Sequence, residues 1–151
     1  DDFEGLKYIR SHSQAPIGTG ENLQLAAGFK KLIDENLADI ITPDLQKAGG
    51  LLEGKKIADM ALLANKYFAP HMIGSPLALM ASAHLSVTIP NFLVCEFHAH
   101  DVPFFADLVQ NGISDWFTPG KAIPMDKSGF GIELNERTMK KYLHPNSNLF
   151  S

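Results

Sequence analysis

Four short strand-like segments constrain this chain more than any other feature, because each closes on a residue that can carry charge or exchange a proton. Residues 15–20 run into Glu21, residues 38–43 into Asp44, residues 67–70 into His71, and residues 91–95 into Glu96. The intervals between these closing residues are 23, 27 and 25. A strand, a helix and two short loops fill such an interval. The intervening stretches read as helices. Leu25, Phe29, Leu32 and Ile33 share a face on residues 23–36, and Ile57, Met60, Ala61 and Ala64 share one on residues 53–65. Asn65 is placed to cap the second of these in the left-handed conformation. Ser75 followed by Pro76 is an N-cap and first-turn proline, opening a helix with Leu77, Met80, Ala81 and Leu85. Alternating strands and helices predict a parallel sheet covered by helices, with chemistry at the carboxyl ends of the strands.

Composition narrows the partners. Net charge is −4 with His neutral, so neither nucleic acid nor an anionic membrane is expected as a partner. Cys95 is the single cysteine, which excludes an intrachain disulfide and fits a cytoplasmic location. Hydrophobic residues at 45% and charged residues at 20% are those of a folded domain. Residues 67–95 lack Asp, Glu, Lys and Arg, a run of 29 that is long enough to raise a membrane span. Pro70, Pro76, Pro90, His71 and His84 interrupt it, so a buried strand, helix and strand are expected instead. The chain opens Asp1-Asp2-Phe3-Glu4, without Met and without the basic-then-apolar start of a signal peptide.

The four closing residues sort by chemistry. Glu21 is an oxygen ligand suited to a hard cation such as Mg²⁺, though one carboxylate does not make a site. Asp44 beside His71 would fix the imidazole tautomer and raise its basicity. Such a base abstracts a proton next to a carboxylate group when a cation stabilises the enolate. Glu96 would exchange a hydrogen bond with substrate opposite the base. Polar residues also stand at strand ends simply because loops begin there.

Thr19-Gly20-Glu21-Asn22, Thr42-Pro43-Asp44-Leu45-Gln46-Lys47-Ala48-Gly49-Gly50, Ala69-Pro70-His71 and Pro90-Asn91-Phe92-Leu93-Val94-Cys95-Glu96 together resemble the enolase superfamily, mandelate racemase/muconate lactonizing enzyme family, mandelate racemase subgroup. The resemblance implies an α/β fold: the C-terminal half of a modified (β/α)₈ TIM barrel, four βα units, plus the C-terminal tail of an α+β capping domain. Residues 1–110 would be the barrel half, starting with the end of the fourth unit, whose apolar face is Phe3, Leu6 and Ile9. Residues 111–151 would be the tail returning to the cap. Glu21 becomes a Mg²⁺ ligand at the fifth strand, Asp44 and His71 the catalytic dyad at the sixth and seventh, and Glu96 the eighth-strand acid. A His base with Mg²⁺ is a known arrangement in this superfamily.

The family's other two metal carboxylates and its second base belong to strands that this stretch does not contain, so Glu21 alone should hold Mg²⁺ poorly. A complete barrel takes about 250 residues. The expected partners are therefore a sugar-acid carboxylate substrate and either a missing N-terminal half or a second copy. Glu96-Phe97-His98-Ala99-His100-Asp101 is more similar to sugar-acid dehydratases than to racemases, so a lyase is favoured. A racemase or epimerase using the same dyad is the alternative, and a half-barrel active only with a partner half is another. His98-x-His100 suggests a transition-metal site, but only His144 follows it, so zinc is not expected. His12 and His84 are expected to be a solvated loop histidine and a helix-packed one. Ser128-Gly129-Phe130-Gly131 stands where the family often has Pro-Gly-x-Gly, which affects a local turn. Asn135 should cap a last helix.

Overall fold

The structure is a computed structural model that describes residues 2–98 and 101–149. Helix α1 (Phe3–His12) precedes strand β1 (Gly18–Thr19), and α2 (Leu25–Asp34) leads to β2 (Ile40–Ile41). Two helices follow β2, the single turn α3 (Leu45–Ala48) and the longer α4 (Gly50–Leu63), before β3 (Tyr67–Phe68) and α5 (Pro76–Ser86). The strands pair in parallel in chain order, with Gly18 opposite Ile40 and Ile40 opposite Tyr67.

The local signals in the sequence explain the element ends. Ser75 accepts from the Ala78 amide with Pro76 in the first turn, so α5 starts where its cap dictates. Asn65 takes a φ of 55° just after α4, the left-handed geometry Asn tolerates. Gly49 and Gly50 both lie at positive φ, 102° and 81°. They end α3 after one turn and let α4 begin as a separate helix.

Apolar burial lies on one face of the sheet. Phe29, Ile41, Ile57 and Phe68 are all fully buried where α2 and α4 cover the strands, and each such side chain contributes about 1.5–3 kcal/mol. A second cluster joins Met72, Leu79 and Met80 to Phe105, Val109 and Trp116. Beyond residue 101 the chain carries a short 3-10 turn (Ala106–Leu108), the hairpin β4 (Phe117–Thr118) and β5 (Lys121–Ala122), and α6 (Glu136–Tyr142), which Asn135 caps through the Thr138 amide. The turn at Ser128 forms with Gly129 and Gly131 at positive φ. His84 packs over Phe130, as expected of a helix-packed residue. His12 is solvent-exposed as expected, but it is the last residue of α1 and not in a loop, its ring tilted against Tyr8.

The expectation that residues 67–95 are buried on both faces is corrected. Residues 91–96 do run parallel to β3, with the Phe68 amide donating to Asn91 O, Leu93 N to Phe68 O, and Glu96 N to Pro70 O. Yet Phe92, Leu93 and Val94 are 39–53% exposed, and Tyr67 is 56% exposed. Because successive strand residues point to opposite faces, the edge segment at 92–94 is open on both sides.

At the N-terminal ends of the strands the polar groups are satisfied internally. Asp39 pairs with Arg10 at 2.7 Å and accepts the Ile17 amide at 2.9 Å. Lys66 is buried, and its Nζ donates to Asn36 Oδ1 and Ala38 O, both at 2.6 Å. Burial pushes the Lys66 ammonium below the ordinary lysine range, with Asp39 opposing the shift. Among the described residues no helix is long and apolar enough to cross a membrane.

Candidate active site

Register places Asp44 beside His71. Ile40 pairs with Tyr67 and Ile41 with Phe68, an offset of 27, and the same offset continues past the strands to the Asp44–His71 bridge. The His71 amide donates to Pro43 O, which holds the two chains together at that level. His71 Nδ1 then donates to Asp44 Oδ2 at 3.1 Å. Asp44 is also the N-cap of α3, its Oδ1 accepting from the Gln46 amide at 2.9 Å. One carboxylate oxygen therefore serves the helix and the other orients the imidazole. Both side chains are buried, and the carboxylate fixes which nitrogen faces outward.

Glu21 reaches the same imidazole from β1. Gly20, at φ 126°, turns the chain over Phe29, where an added Cβ would come within 2.8 Å of the ring. This turn aims Glu21 at His71, with Oε2 2.9 Å from Nε2. Glu21 Oε1 accepts from Asn22 Nδ2 at 3.1 Å, and Asn22 Oδ1 accepts from Lys47 Nζ at 2.9 Å. Glu53 of α4 closes the loop by accepting the Ala26 amide at 2.8 Å. Its hydrogen bond from Lys56, then that from Ala26, hold the Glu53 carboxyl below the ordinary range.

A cleft of about 450 Å³ opens beside these groups, lined by Glu21, Thr42, His71 and Glu96. Three of the four expected site residues thus line one cleft, and the fourth, Asp44, stands behind His71. Glu96 is exposed, and its backbone amide is tied to Pro70 O. Burial, then the Glu96 charge, push the Cys95 thiol up to about 11, which disfavours its thiolate. His98 stacks on Phe97, while Ala99 and His100, and with them the second half of the His-x-His motif, lie outside the described residues. Sequence reasoning gave no role to Glu53, Asn22 or Lys47. Helix-surface and loop residues of these types carry no periodic signal, and their contacts cross between separate βα units.

The residues present do not by themselves fit a Mg²⁺ site. Among the described residues no group of three His, Cys, Asp or Glu could hold a metal. Both oxygens of Glu21 already have protein partners. Mg²⁺ demands a near-octahedral set of oxygens, which one engaged carboxylate does not supply.

Comparison with known proteins gives a consistent result. Residues 1–138 match the family model described as enolase C-terminal domain-like. The chain is 33% identical over 147 residues to the D-xylonate dehydratase of Haloferax volcanii, covering 95% of this chain and 34% of that protein. It is 33% identical over 132 residues to the D-galactonate dehydratase of Pectobacterium atrosepticum, covering 85% and 35%. The crystal structure of a mandelate racemase/muconate lactonizing enzyme-like protein from Rubrobacter xylanophilus superposes with a TM-score of 0.91 at 32% identity, over 100% of this chain and 38% of that one. The chain thus spans about a third of the length of the curated relatives it matches.

Proposed function

This chain belongs to the enolase superfamily, mandelate racemase/muconate lactonizing enzyme family, as the C-terminal half of the barrel, and from that premise we propose that it carries the proton-transfer machinery of a sugar-acid dehydratase. The observation behind the proposal is the His71 imidazole, held at Nδ1 by a buried carboxylate and meeting at Nε2 the half-exposed Glu21 at the edge of a cleft. The sugar-acid substrate class is carried over from the names of the relatives.

In this reading the substrate's α-carbon takes the place of Glu21 at His71 Nε2, and the α-proton passes to that nitrogen. Asp44 keeps Nδ1 protonated and the ring in position throughout. The same proton is then returned to the departing 3-hydroxyl, which leaves as water. The resulting enol tautomerises to a 2-keto-3-deoxy acid. Glu96, across the cleft, exchanges a hydrogen bond with the substrate. In the complete site Mg²⁺ would supply the charge that stabilises an enolate, and Glu21, once released from His71, would be this chain's one ligand to it. The remaining ligands would come from strands that pair along the open edges of the sheet. The exposed Tyr67, Phe92, Leu93 and Val94 favour this reading, whether those strands come from a missing half or from a second copy.

The test is to assay the full-length protein with Mg²⁺ against a panel of aldonic and aldaric acids. A 2-keto-3-deoxy product from at least one acid is expected. Absence of product from every acid would overturn dehydration. Exchange of the α-proton with deuterated solvent, without product, would assign the racemase or epimerase reading instead.

A further inference from the structure

The contacts around Glu21 form a closed ring. Asp44 caps α3 and orients His71, and His71 meets Glu21. Glu21 meets Asn22, Asn22 meets Lys47, and Lys47 lies on the same single-turn helix α3 that Asp44 caps. We propose that Lys47 and Asn22 are positioning residues that clasp the β1–α2 loop to α3 and thereby fix where the Glu21 carboxylate stands at the cleft beside His71.

The direction of each hydrogen bond carries the inference. A lysine ammonium only donates, so the group it meets on Asn22 must be the carbonyl oxygen. With Oδ1 turned to Lys47, the Asn22 amide nitrogen is turned to Glu21. An amide free to flip would present either atom to that carboxylate, and one of the two repels it. Lys47 thus sets the polarity of Asn22, and Asn22 donates to the Glu21 carboxylate and anchors it at the cleft. The helix that carries Lys47 stops at Gly49, so the ammonium is presented from a short, capped element anchored by Asp44 itself. The importance of Glu21 rests on the function proposed above, but its placement does not.

The experiment compares Lys47→Met, Lys47→Arg and Asn22→Asp in the full-length protein. Side-chain NMR reads the Glu21 carboxyl carbon, the His71 ring nitrogens and, where present, the Asn22 amide. Lys47→Met should move all three sets of signals, and Asn22→Asp should move those of Glu21 and His71. Lys47→Arg, which keeps a donor, should leave them near their original positions. Thermal melting checks that each variant is folded. A folded Lys47→Met whose Glu21 and His71 signals match the unaltered protein would overturn the clasp. If no sugar acid is turned over by the unaltered protein, the proposed function fails, yet these shifts still decide the clasp.

Discussion

At the N-terminal ends of β2 and β3, Asp39 stands level with Lys66; at the C-terminal ends of the same strands, Asp44 stands level with His71. Both pairs are 27 residues apart, because both follow the same parallel register. The lower pair is consumed by the protein: Asp39 by Arg10 and the Ile17 amide, Lys66 by Asn36 and Ala38. In the upper pair the protein takes Asp44 and one nitrogen of His71, while the other nitrogen meets a half-exposed carboxylate at the edge of a cleft. A carboxylate opposite a base at a strand end is therefore not a site by virtue of spacing. What separates the two ends is whether the second valence of the base is closed by fixed neighbours or opens on space that a substrate can enter.

The contrast breaks most directly at His71. His71→Asn should lower turnover by about 10²–10⁴-fold, the range for losing a positioned general base, with the urea midpoint little changed. Activity within a few-fold of the original would remove His71 from the mechanism. Lys66→Met should do the reverse. It strands the buried Ala38 carbonyl and should cost about 1–3 kcal/mol in urea unfolding, leaving turnover per folded molecule unchanged. The pH dependence has a definite sign. Lys66 has a folded-state pKa below its unfolded one, so the unfolded chain binds the extra proton in the window between them. Stability of the unaltered protein, relative to Lys66→Met, should rise as pH climbs from neutral toward the ordinary lysine range.

Smaller effects sharpen the same comparison. Asp39→Asn weakens a half-buried ion pair and should cost about 0.5–1 kcal/mol by denaturant titration, again without a change in turnover. Glu53→Gln should give the smallest change, visible in acid. The Glu53 carboxyl is held below the ordinary range, so its contribution is full above the unfolded value and is lost as pH falls through the folded one. The unaltered protein should therefore lose stability faster than Glu53→Gln on acidification.

The Asp44–His71 pair was legible in the sequence because its spacing equals the register of the strands that carry it. Glu21 and Glu96 were legible only as strand-end polar residues. Their intervals are not register offsets, since β1 pairs with β2 at an offset of 22 and Phe68 with Phe92 at 24. The turn at Gly20, not strand pairing, brings Glu21 to the imidazole. The exposure of the edge segment was not legible. Phe92, Leu93 and Val94 read as apolar strand residues whether or not another layer rests on them. The parallel arrangement and the helix caps at Ser75 and Asn135 were legible from local chemistry alone.

The glycine pair at 49 and 50 has a consequence for how this fold tolerates change. It separates α3, which presents Asp44, from α4, whose outer face displays Leu52 and Leu63 to solvent. With Gly49 left-handed between them and Gly50 left-handed at the first position of α4, the two helices are not one continuous helix. A substitution on the outer face of α4 has no continuous rod through which to tilt the aspartate. The exterior can be rewritten for new neighbours, solubility or assembly while the acid–base geometry stays fixed, and Gly49 and Gly50 are the joint that keeps those two histories independent.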